Sequence, residues 1–167
     1  DGARNSLSMR LLYVTQSYFP FLDKGGPTVK VRALARGMAS SGHGVTVLTA
    51  DFGLDAAKQK AIHAIPNRWG YEAQEDGAEA IYLRSGARYR ALTWNPGVSD
   101  FCRERLAAFD VAHIYGLYDL IGPRIASECR RIGRPYLVEP MGMFRPIIRN
   151  ISMKRLYHAV LGGSLIG

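Results

Sequence analysis

Short apolar runs rich in β-formers alternate with helical stripes along this chain, and this alternation constrains the fold most. The first run covers residues 11–15 (LLYVT), and the next is Gly44–Ala50 (GVTVLTA). Neither run alternates apolar with polar residues, so both faces of each strand are expected to be buried, as in a parallel sheet. Since parallel strands need a crossover connection, the pattern predicts an α/β fold.

The segment between these two runs has the spacing of a helix. Its apolar stripe follows i, i+3, i+4, i+7, and consists of Val31, Leu34, Ala35 and Met38. Gly42 then supplies a stop signal. Strand, helix and strand together form a βαβ unit of the expected length.

The alternation continues to the end of the sequence. A polar irregular segment with room for a helix is predicted over 53–78, and a strand over 79–84. A helix is expected to start at Asn95 and Pro96 and to run to about 109, followed by a strand over 110–115. The remaining predictions are a helix from Asp119 to Gly133, a strand over 135–139, and a helix capped by Asn150 or Ser152. These elements predict a doubly wound, mostly parallel, Rossmann-like sheet.

A glycine pair follows the first predicted strand. Gly25 and Gly26 precede a helix that is expected to start near Thr28. Glycine lets backbone approach a ligand and reach φ > 0, and the N–H groups of a helix N-terminus suit phosphate. The pair is therefore a candidate phosphate-binding loop or, alternatively, a plain turn. The spacing is not GxGxxG, which disfavours a nicotinamide-binding domain and leaves Asp51 a weak ribose-binding candidate.

Composition and charge set further bounds. No run reaches the roughly 18 apolar residues of a membrane span, and Cys102 and Cys129 have no metal-ligand spacing, so free thiols and a cytoplasmic location are expected. The net charge is +8, and residues 120–167 hold eight of the 22 Lys and Arg but only two of the 14 acidic residues. This basic region is either a solvated face or a surface for nucleic acid, anionic lipid or a phosphorylated substrate.

Four segments follow one another at sensible spacing: MRLLYVTQSYFPFLDKGGPTVKVRALARGMASSGHGVTVLTA, FDVAHIYGLYD, IGRPYLVEPMGMFRP and MKRLYHAVL. Together they resemble the N-terminal domain of a retaining glycosyltransferase of the GT-B fold, in the large GT4-type family. That family has two Rossmann-like domains, of which the first mainly holds the acceptor and the second the nucleotide sugar. The resemblance implies an acceptor-binding domain over 9–167, with no counterpart here of the donor-binding domain. Residues 1–8 are polar and lack the apolar stretch of a signal peptide, so a flexible leader, a cloning remnant or a wrongly assigned start is expected there.

The resemblance also assigns site residues by position. Gly25 and Gly26 match the pair that approaches the donor's diphosphate across the cleft. His113 matches the first histidine of a strand-end motif, and Tyr115 stands where many members have the second. Met141 stands where the family usually has a histidine that contacts the transferred sugar, although the following Gly142 fits the pattern.

The implied activity is transfer of a hexose from a nucleotide diphosphate sugar to a hydroxyl acceptor with retention of configuration, in carbohydrate or polysaccharide synthesis. No cofactor, no metal and no nucleic acid are expected, and the acceptor is a sugar or is lipid-linked. A thioether cannot act as a charged or strongly hydrogen-bonding group, so Met141 leaves the catalytic residues open. It also favours the alternative, a non-catalytic sugar- or nucleotide-binding module of the same fold.

Several residues keep two interpretations at this point. His113 is either a ligand contact or a core histidine, and Glu139 either binds acceptor hydroxyls or caps a helix. Tyr18, Phe19 and Phe21 either stack on sugar or lipid or pack their loop against the core, and packing is expected for at least one.

A cationic cluster of Arg145, Arg149, Lys154 and Arg155 lies in or just before the last predicted helix. An apolar stripe beside such a cluster suits an anionic membrane surface or an acceptor. Peripheral membrane contact is therefore one expectation for this cluster, and a solvated face is the other.

Overall fold

Strands and helices alternate along the chain largely as the sequence predicts. The computed structural model describes residues 8–24, 26–89 and 92–141, and positions 157, 159, 160 and 163. The strands in these ranges are β1 (Arg10–Thr15), β2 (Gly44–Ala50), β3 (Ile65–Asn67), β4 (Gly70–Glu75), β5 (Ala78–Leu83), β6 (Ala87–Tyr89), β7 (Leu92–Trp94), β8 (Val111–Tyr115) and β9 (Tyr136–Glu139). The helices are α1 (Gly26–Ser40), α2 (Ala56–Ala61), α3 (Val98–Arg105) and α4 (Ile121–Arg131), with short 3-10 helices at Leu22–Lys24 and Leu106–Ala108.

Seven strands form one sheet in the order β3-β4-β5-β2-β1-β8-β9. The five strands from β5 to β9 in this order pair in parallel, with Leu12 opposite Thr46 of β2 and Ala112 of β8. β3, β4 and β5 pair antiparallel, and β6 and β7 form a separate hairpin. The fold is thus the predicted α/β type with a mostly parallel sheet.

Helices cover both faces of this sheet. On one face, Lys30 of α1 forms an ion pair with Glu139, which stands opposite Tyr115 in the register of β8 and β9. On the other face, Gly122 of α4 lies against Ile114, where a Cβ would come 2.8 Å from the Ile114 Cγ2 atom. Since neighbouring residues of a strand point to opposite faces, the sheet is doubly wound.

The core explains why β1 and β2 show no alternation. Both faces of β1 are covered, and its residues from Leu11 to Thr15 are all buried, as are residues 45–50 of β2. Each fully buried aliphatic side chain contributes about 1.5–3 kcal/mol relative to an exposed one. Burial on both faces therefore selects continuous apolar runs at the centre of the sheet.

The stripe of α1 is correct at two of its four positions and partly correct at a third. Val31 and Ala35 are buried and Met38 packs partly against the core, but Leu34 is 38% exposed. The buried face also includes Thr28, which shifts the centre of the stripe away from Leu34. Gly42 ends the helix region with a φ of +88°, as a stop glycine should.

The segment over 53–78 is more regular than the sequence suggests. It holds α2, for which the prediction left room, but also β3 and β4, which the prediction of an irregular segment missed. Half of β4 is exposed or half-buried and β3 has three residues, so neither presents the apolar run of a central strand. The strand predicted over 79–84 is β5, displaced by one residue.

The prediction that Asn95 caps a helix is wrong. The N-cap position of α3 is Gly97, and the Asn95 side chain instead bonds the exit of β5 through the Leu83 and Arg84 carbonyls. The helix ends at Arg105 and continues as a 3-10 turn to Ala108, close to the predicted end.

The aromatic loop after β1 packs inward. Tyr18 and Phe21 are buried, and Phe19 packs against the core with the Arg32 guanidinium 3.8 Å from its ring centroid. The packing interpretation is therefore the one that the structure shows. The two cysteines are buried free thiols, and among the described residues no helix has the length and apolar character to cross a bilayer.

Candidate functional site

The carboxyl ends of the parallel strands meet at one edge of the sheet, which is where ligands bind in open α/β folds. The chain passes from β1 to β2 on one side and later places β8 on the other side of β1, so the switch point lies between β1 and β8. A cavity of about 280 Å³ opens there. We call it the switch-point cavity; its lining is Thr15, Gln16, Ser17, Pro27, Phe52, Tyr115, Gly116, Tyr118, Asp119 and Met141.

Small hydroxyl side chains fix the floor of this cavity to the start of α1. Thr15 Oγ1 donates to the Ser17 carbonyl at 3.2 Å, and the Ser17 and Thr28 hydroxyl oxygens lie 2.9 Å apart. All three residues are buried. Thr28, a predicted ligand contact, is thus placed beneath the loop, where it positions the first turn of the helix.

Gly26 is the first residue of α1 and faces open space. Among the described residues, no heavy atom lies within 4 Å of where a Cβ on Gly26 would stand, and the φ of Gly26 lies outside the left-handed region. The expectation that Gly26 serves a positive φ is therefore wrong, because the backbone at this position is accessible to any residue. The described residues therefore leave the space in front of the helix N-terminus unfilled. Gly25 lies outside the described residues.

Three predicted site residues come together on the α1 face of the sheet. The His113 ring stacks on Tyr115 with centroids 4.1 Å apart, and its Nε2 atom lies 3.6 Å from Glu139 Oε2. Two residues that the sequence analysis missed complete this polar cluster. Lys30 pairs with the other oxygen of Glu139, and the Tyr13 ring packs edge-on against both His113 and Tyr115.

Burial keeps the ring groups of this cluster neutral, beside the ion pair of Lys30 and Glu139. Burial lowers the pKa of His113, an effect that Glu139 opposes and Lys30 reinforces. Burial also raises the pKa of both Tyr13 and Tyr115, whose phenols hydrogen-bond each other. At neutral pH the imidazole is uncharged and the phenols keep their protons, so the cluster can orient hydroxyl groups.

The far wall of the cavity holds Met141 and two residues that the sequence analysis did not assign to a site. Met141 follows β9 with a φ of +53°, and Gly116 follows β8 with a φ of +105°. Asp119 is buried; its Oδ1 accepts the Gly122 N–H at 2.5 Å and it also accepts the Ile121 N–H. Burial raises its pKa from 3.8 to about 6. The sequence signal was present, since a helix was expected to begin near Asp119.

A second cavity lies beside the first, between the β6–β7 hairpin and the starts of α3 and α4. Its volume is about 370 Å³. We call it the hairpin groove; its lining is Trp94, Asn95, Pro96, Val98, Ser99, Leu120, Ile121 and Arg124. The sequence analysis assigned none of these residues to a site, because no motif or spacing marks a groove formed by a hairpin and two helix starts.

Asp51 and Asn95 hold the loops between the two cavities. Asp51 Oδ1 accepts the N–H groups of Gly53 and Ser85, both at 3.1 Å. This engaged oxygen explains why Asp51 is buried, and it argues against the ribose role. Gln16 Nε2 donates to Thr93 Oγ1 at 2.9 Å, and Thr93 Oγ1 donates to Asn95 Oδ1 at 2.7 Å. These hydrogen bonds connect the exits of β1 and β7.

Other predicted positions are not placed. Gly142 and the cationic cluster of Arg145, Arg149, Lys154 and Arg155 lie outside the described residues. Within the described ranges, no group of three or more His, Cys, Asp or Glu side chains is arranged to hold a metal ion.

Comparison with known proteins adds the family. A family model described as "Glycosyl transferase 4-like domain" matches residues 25–162, which is most of the chain. No match was found among curated proteins. The matched range contains Gly26, the hairpin groove and all of the polar cluster except Tyr13. It also contains most of the switch-point cavity, whose residues Thr15, Gln16 and Ser17 precede it.

Proposed function

Because the chain belongs to the glycosyl transferase 4-like family, we propose that this glycosyltransferase domain is the acceptor-binding half of a retaining hexosyltransferase. The donor in this proposal is a nucleotide diphosphate sugar, held mainly by a second Rossmann-like domain across a cleft. The acceptor is a hydroxyl group brought to the carboxyl edge of the sheet described here.

One observation carries the proposal beyond the family. No heavy atom of the described residues lies within 4 Å of where a Cβ on Gly26 would stand, although the backbone there would accept a side chain without strain. This space adjoins the switch-point cavity, whose lining includes Pro27 of the same helical turn. A diphosphate in this space would receive N–H groups and the positive end of the α1 dipole, which supports the proposed role of the glycine pair.

The buried hydroxyls and the polar cluster have different roles in this proposal. Ser17 and Thr28 hold the helix start in place, so the N–H groups are oriented before the donor arrives. Preorganised donors stabilise the charge that develops on a departing diphosphate. In this proposal Tyr115 and the neutral His113 orient sugar hydroxyls. Glu139, which lies beside the imidazole and pairs with Lys30, holds the ring in position.

Met141 contributes apolar contact in this proposal. It lines the cavity, where a thioether offers only a weak acceptor. The polar contact that a histidine makes in other members must then come from another group or from the donor domain. If it comes from neither, the chain is the non-catalytic binding module of the alternative.

The test is a transfer assay with labelled nucleotide sugars and a panel of hydroxyl acceptors. The chain joined to a donor domain of the same gene is expected to transfer the sugar, and nuclear magnetic resonance of the product should show the donor's anomeric configuration. The chain alone is expected to show neither transfer nor donor hydrolysis above blank. Turnover by the isolated chain would contradict the two-domain proposal, and donor binding without transfer in the joined protein would favour the binding module.

A further inference from the structure

The hairpin groove has an aromatic wall that is held in place and left uncovered. Trp94 is 58% exposed. Its six-membered ring lies over Gly86, where a Cβ would come within 3.0 Å of the Trp94 Cε3 atom and within 3.6 Å of Pro96 Cδ. The absence of a side chain at residue 86 thus lets the indole rest against backbone with the ring exposed to the groove.

The strand that carries Trp94 is anchored on both sides. The Gly86 N–H donates to the Trp94 carbonyl at 2.8 Å. The next residue, Asn95, is buried and donates to the Leu83 and Arg84 carbonyls at 3.0 and 3.2 Å. An exposed aromatic side chain on so well-anchored a strand loses little conformational freedom when a ligand stacks on it.

The opposite wall of the groove is cationic. Arg124 is the charged residue among the described groove-lining residues. Its Nη2 atom pairs with Glu128 Oε1 at 2.9 Å, but the other Glu128 oxygen accepts from Arg131 at 2.6 Å. The largely buried Glu128 carboxylate is thus shared between two guanidinium groups, and Arg124 is the cationic side chain on this wall of the groove.

These features together select a class of ligand. The C–H face of a pyranose ring packs on an exposed indole, and a guanidinium binds carboxylate or phosphate oxygens through paired N–H groups. The volume of about 370 Å³ lies in the usual range for small-molecule sites. Neither wall alone is selective, but a ligand that contacts both must carry a ring and an anionic group.

We propose that the hairpin groove binds the acceptor, and that this acceptor is an acidic sugar whose ring stacks on Trp94 and whose carboxylate or phosphate group pairs with Arg124. The inference rests on the proposed function, because it places the acceptor in a domain that transfers sugars. It adds a substrate class and two specificity residues to it.

Binding can be measured without any transfer. The chain has two tryptophans, Trp69 and Trp94. Trp69 Nε1 is buried without a hydrogen-bond partner in the described structure, so Trp69→Phe removes an unsatisfied donor and leaves Trp94 as the reporter. We expect methyl uronides and hexose 6-phosphates to change the Trp94 emission at concentrations about tenfold or more below those of methyl hexosides, the size expected for charge-assisted hydrogen bonds. The ratio between the two anionic probes identifies the preferred group.

Matched variants separate the two walls. Arg124→Gln should remove the preference for anionic probes, whereas Arg131→Gln, which removes the other partner of Glu128, should keep it. With Trp69 retained, isothermal calorimetry on Trp94→Ala should show loss of sugar binding, and Tyr89→Ala on the same hairpin should not. Circular dichroism confirms folding of each variant.

Three outcomes would overturn the inference. They are no emission change with any sugar probe, equal response to neutral and anionic hexosides, and a response to acetate or inorganic phosphate that matches the response to the acidic sugars. None of these bears on transfer activity, so the proposed function stands or fails separately in the transfer assay.

Discussion

The switch-point cavity opens at the exits of β1 and β8, beside the buried hydroxyls that fix the start of α1, and aromatic residues and Met141 also line it. The hairpin groove, by contrast, has an indole on one wall and a guanidinium on the other. In the first, Ser17 and Thr28 are buried and contact each other. In the second, Trp94 and Arg124 are largely exposed and stand on different elements. One cavity is thus part of the packing of the fold, and the other is attached to its surface.

This difference predicts how each cavity responds to change. A ligand in the switch-point cavity depends on where backbone N–H groups stand, so few substitutions improve it and many disturb it. A ligand in the hairpin groove depends on which side chains are present, and these can vary without loss of the core.

The largest expected effect comes from Gly26→Asp in the enzyme with both domains. A carboxylate would stand where we expect the diphosphate, so kcat/KM for the donor should fall on the order of 100-fold. The melting temperature should stay level or rise slightly, because an acidic residue in the first turn favours the helix dipole by about 0.3–1 kcal/mol.

Gly26→Ala is the matched control for that variant. A Cβ at this position meets no atom of the described residues within 4 Å. Folding should therefore be unaffected, and any loss of activity reports the closeness of the donor alone. Donor kinetics at wild-type level in Gly26→Asp would reduce the glycine to a plain turn residue.

The next effect concerns the anchoring of the groove. Asn95→Asp keeps the shape but replaces the amide that donates to the Leu83 and Arg84 carbonyls. A carboxylate facing two carbonyls should lower the free energy of unfolding by about 3 kcal/mol, measured by urea titration. Asn67→Asp serves as the comparison, because the Asn67 oxygen would go on accepting from Trp69 and Gly70. It loses one donated bond, to Glu72 Oε2 at 3.1 Å, at a half-buried position, so a smaller loss than at the buried Asn95 is expected. Equal losses in both variants would show that the Asn95 amide has no special role.

A smaller loss is expected at the floor of the switch-point cavity. Thr28→Val leaves the Ser17 hydroxyl without its 2.9 Å partner, at a cost of about 1–2 kcal/mol in unfolding free energy. Adding Ser17→Ala should then cost less than it does in the wild type, since neither partner remains. Strictly additive losses would mean that the two hydroxyls do not interact.

The smallest effect belongs to Asp119, which lies where the two cavities meet. Its pKa rises from 3.8 to about 6 on folding, so the folded state binds the proton more tightly and this group's contribution to stability is lost as pH rises through that interval. Asp119→Asn retains an acceptor for the Gly122 N–H. We expect it to be more stable than the wild type by about 1 kcal/mol at neutral pH.

The gain from Asp119→Asn should shrink as the pH falls towards 4. His113 changes stability in the opposite sense, because burial lowers its pKa and acid therefore destabilises the fold through it. Subtracting the two unfolding curves at each pH removes that term, which both proteins share. If the difference in unfolding free energy between the two proteins did not depend on pH, the pKa of Asp119 would not be raised by folding.

The predictability of these features follows their physical origin. β1, β2 and β8 could be predicted because buried strands leave apolar runs in the sequence, and α4 because one buried helical face leaves a periodic stripe. The approach of Glu139 to His113 was not predicted, since each residue was considered by itself. The hairpin of β6 and β7 left no such trace, since its strands have three residues each and Tyr89 and Trp94 are exposed. The predicted helix cap at Asn95 was wrong because its side chain bonds the exit of β5 rather than the start of α3.

The outer strand of the antiparallel extension has a consequence for how chains meet in concentrated solution. β3 has three residues, and its central residue is Pro66, paired with Tyr71 of β4. Proline has no N–H to offer a further strand on the open side. A neighbouring chain cannot therefore continue the hydrogen-bond ladder there, although Ile65 exposes apolar surface at the same place. This single residue limits growth of the sheet towards fibrils at its antiparallel border.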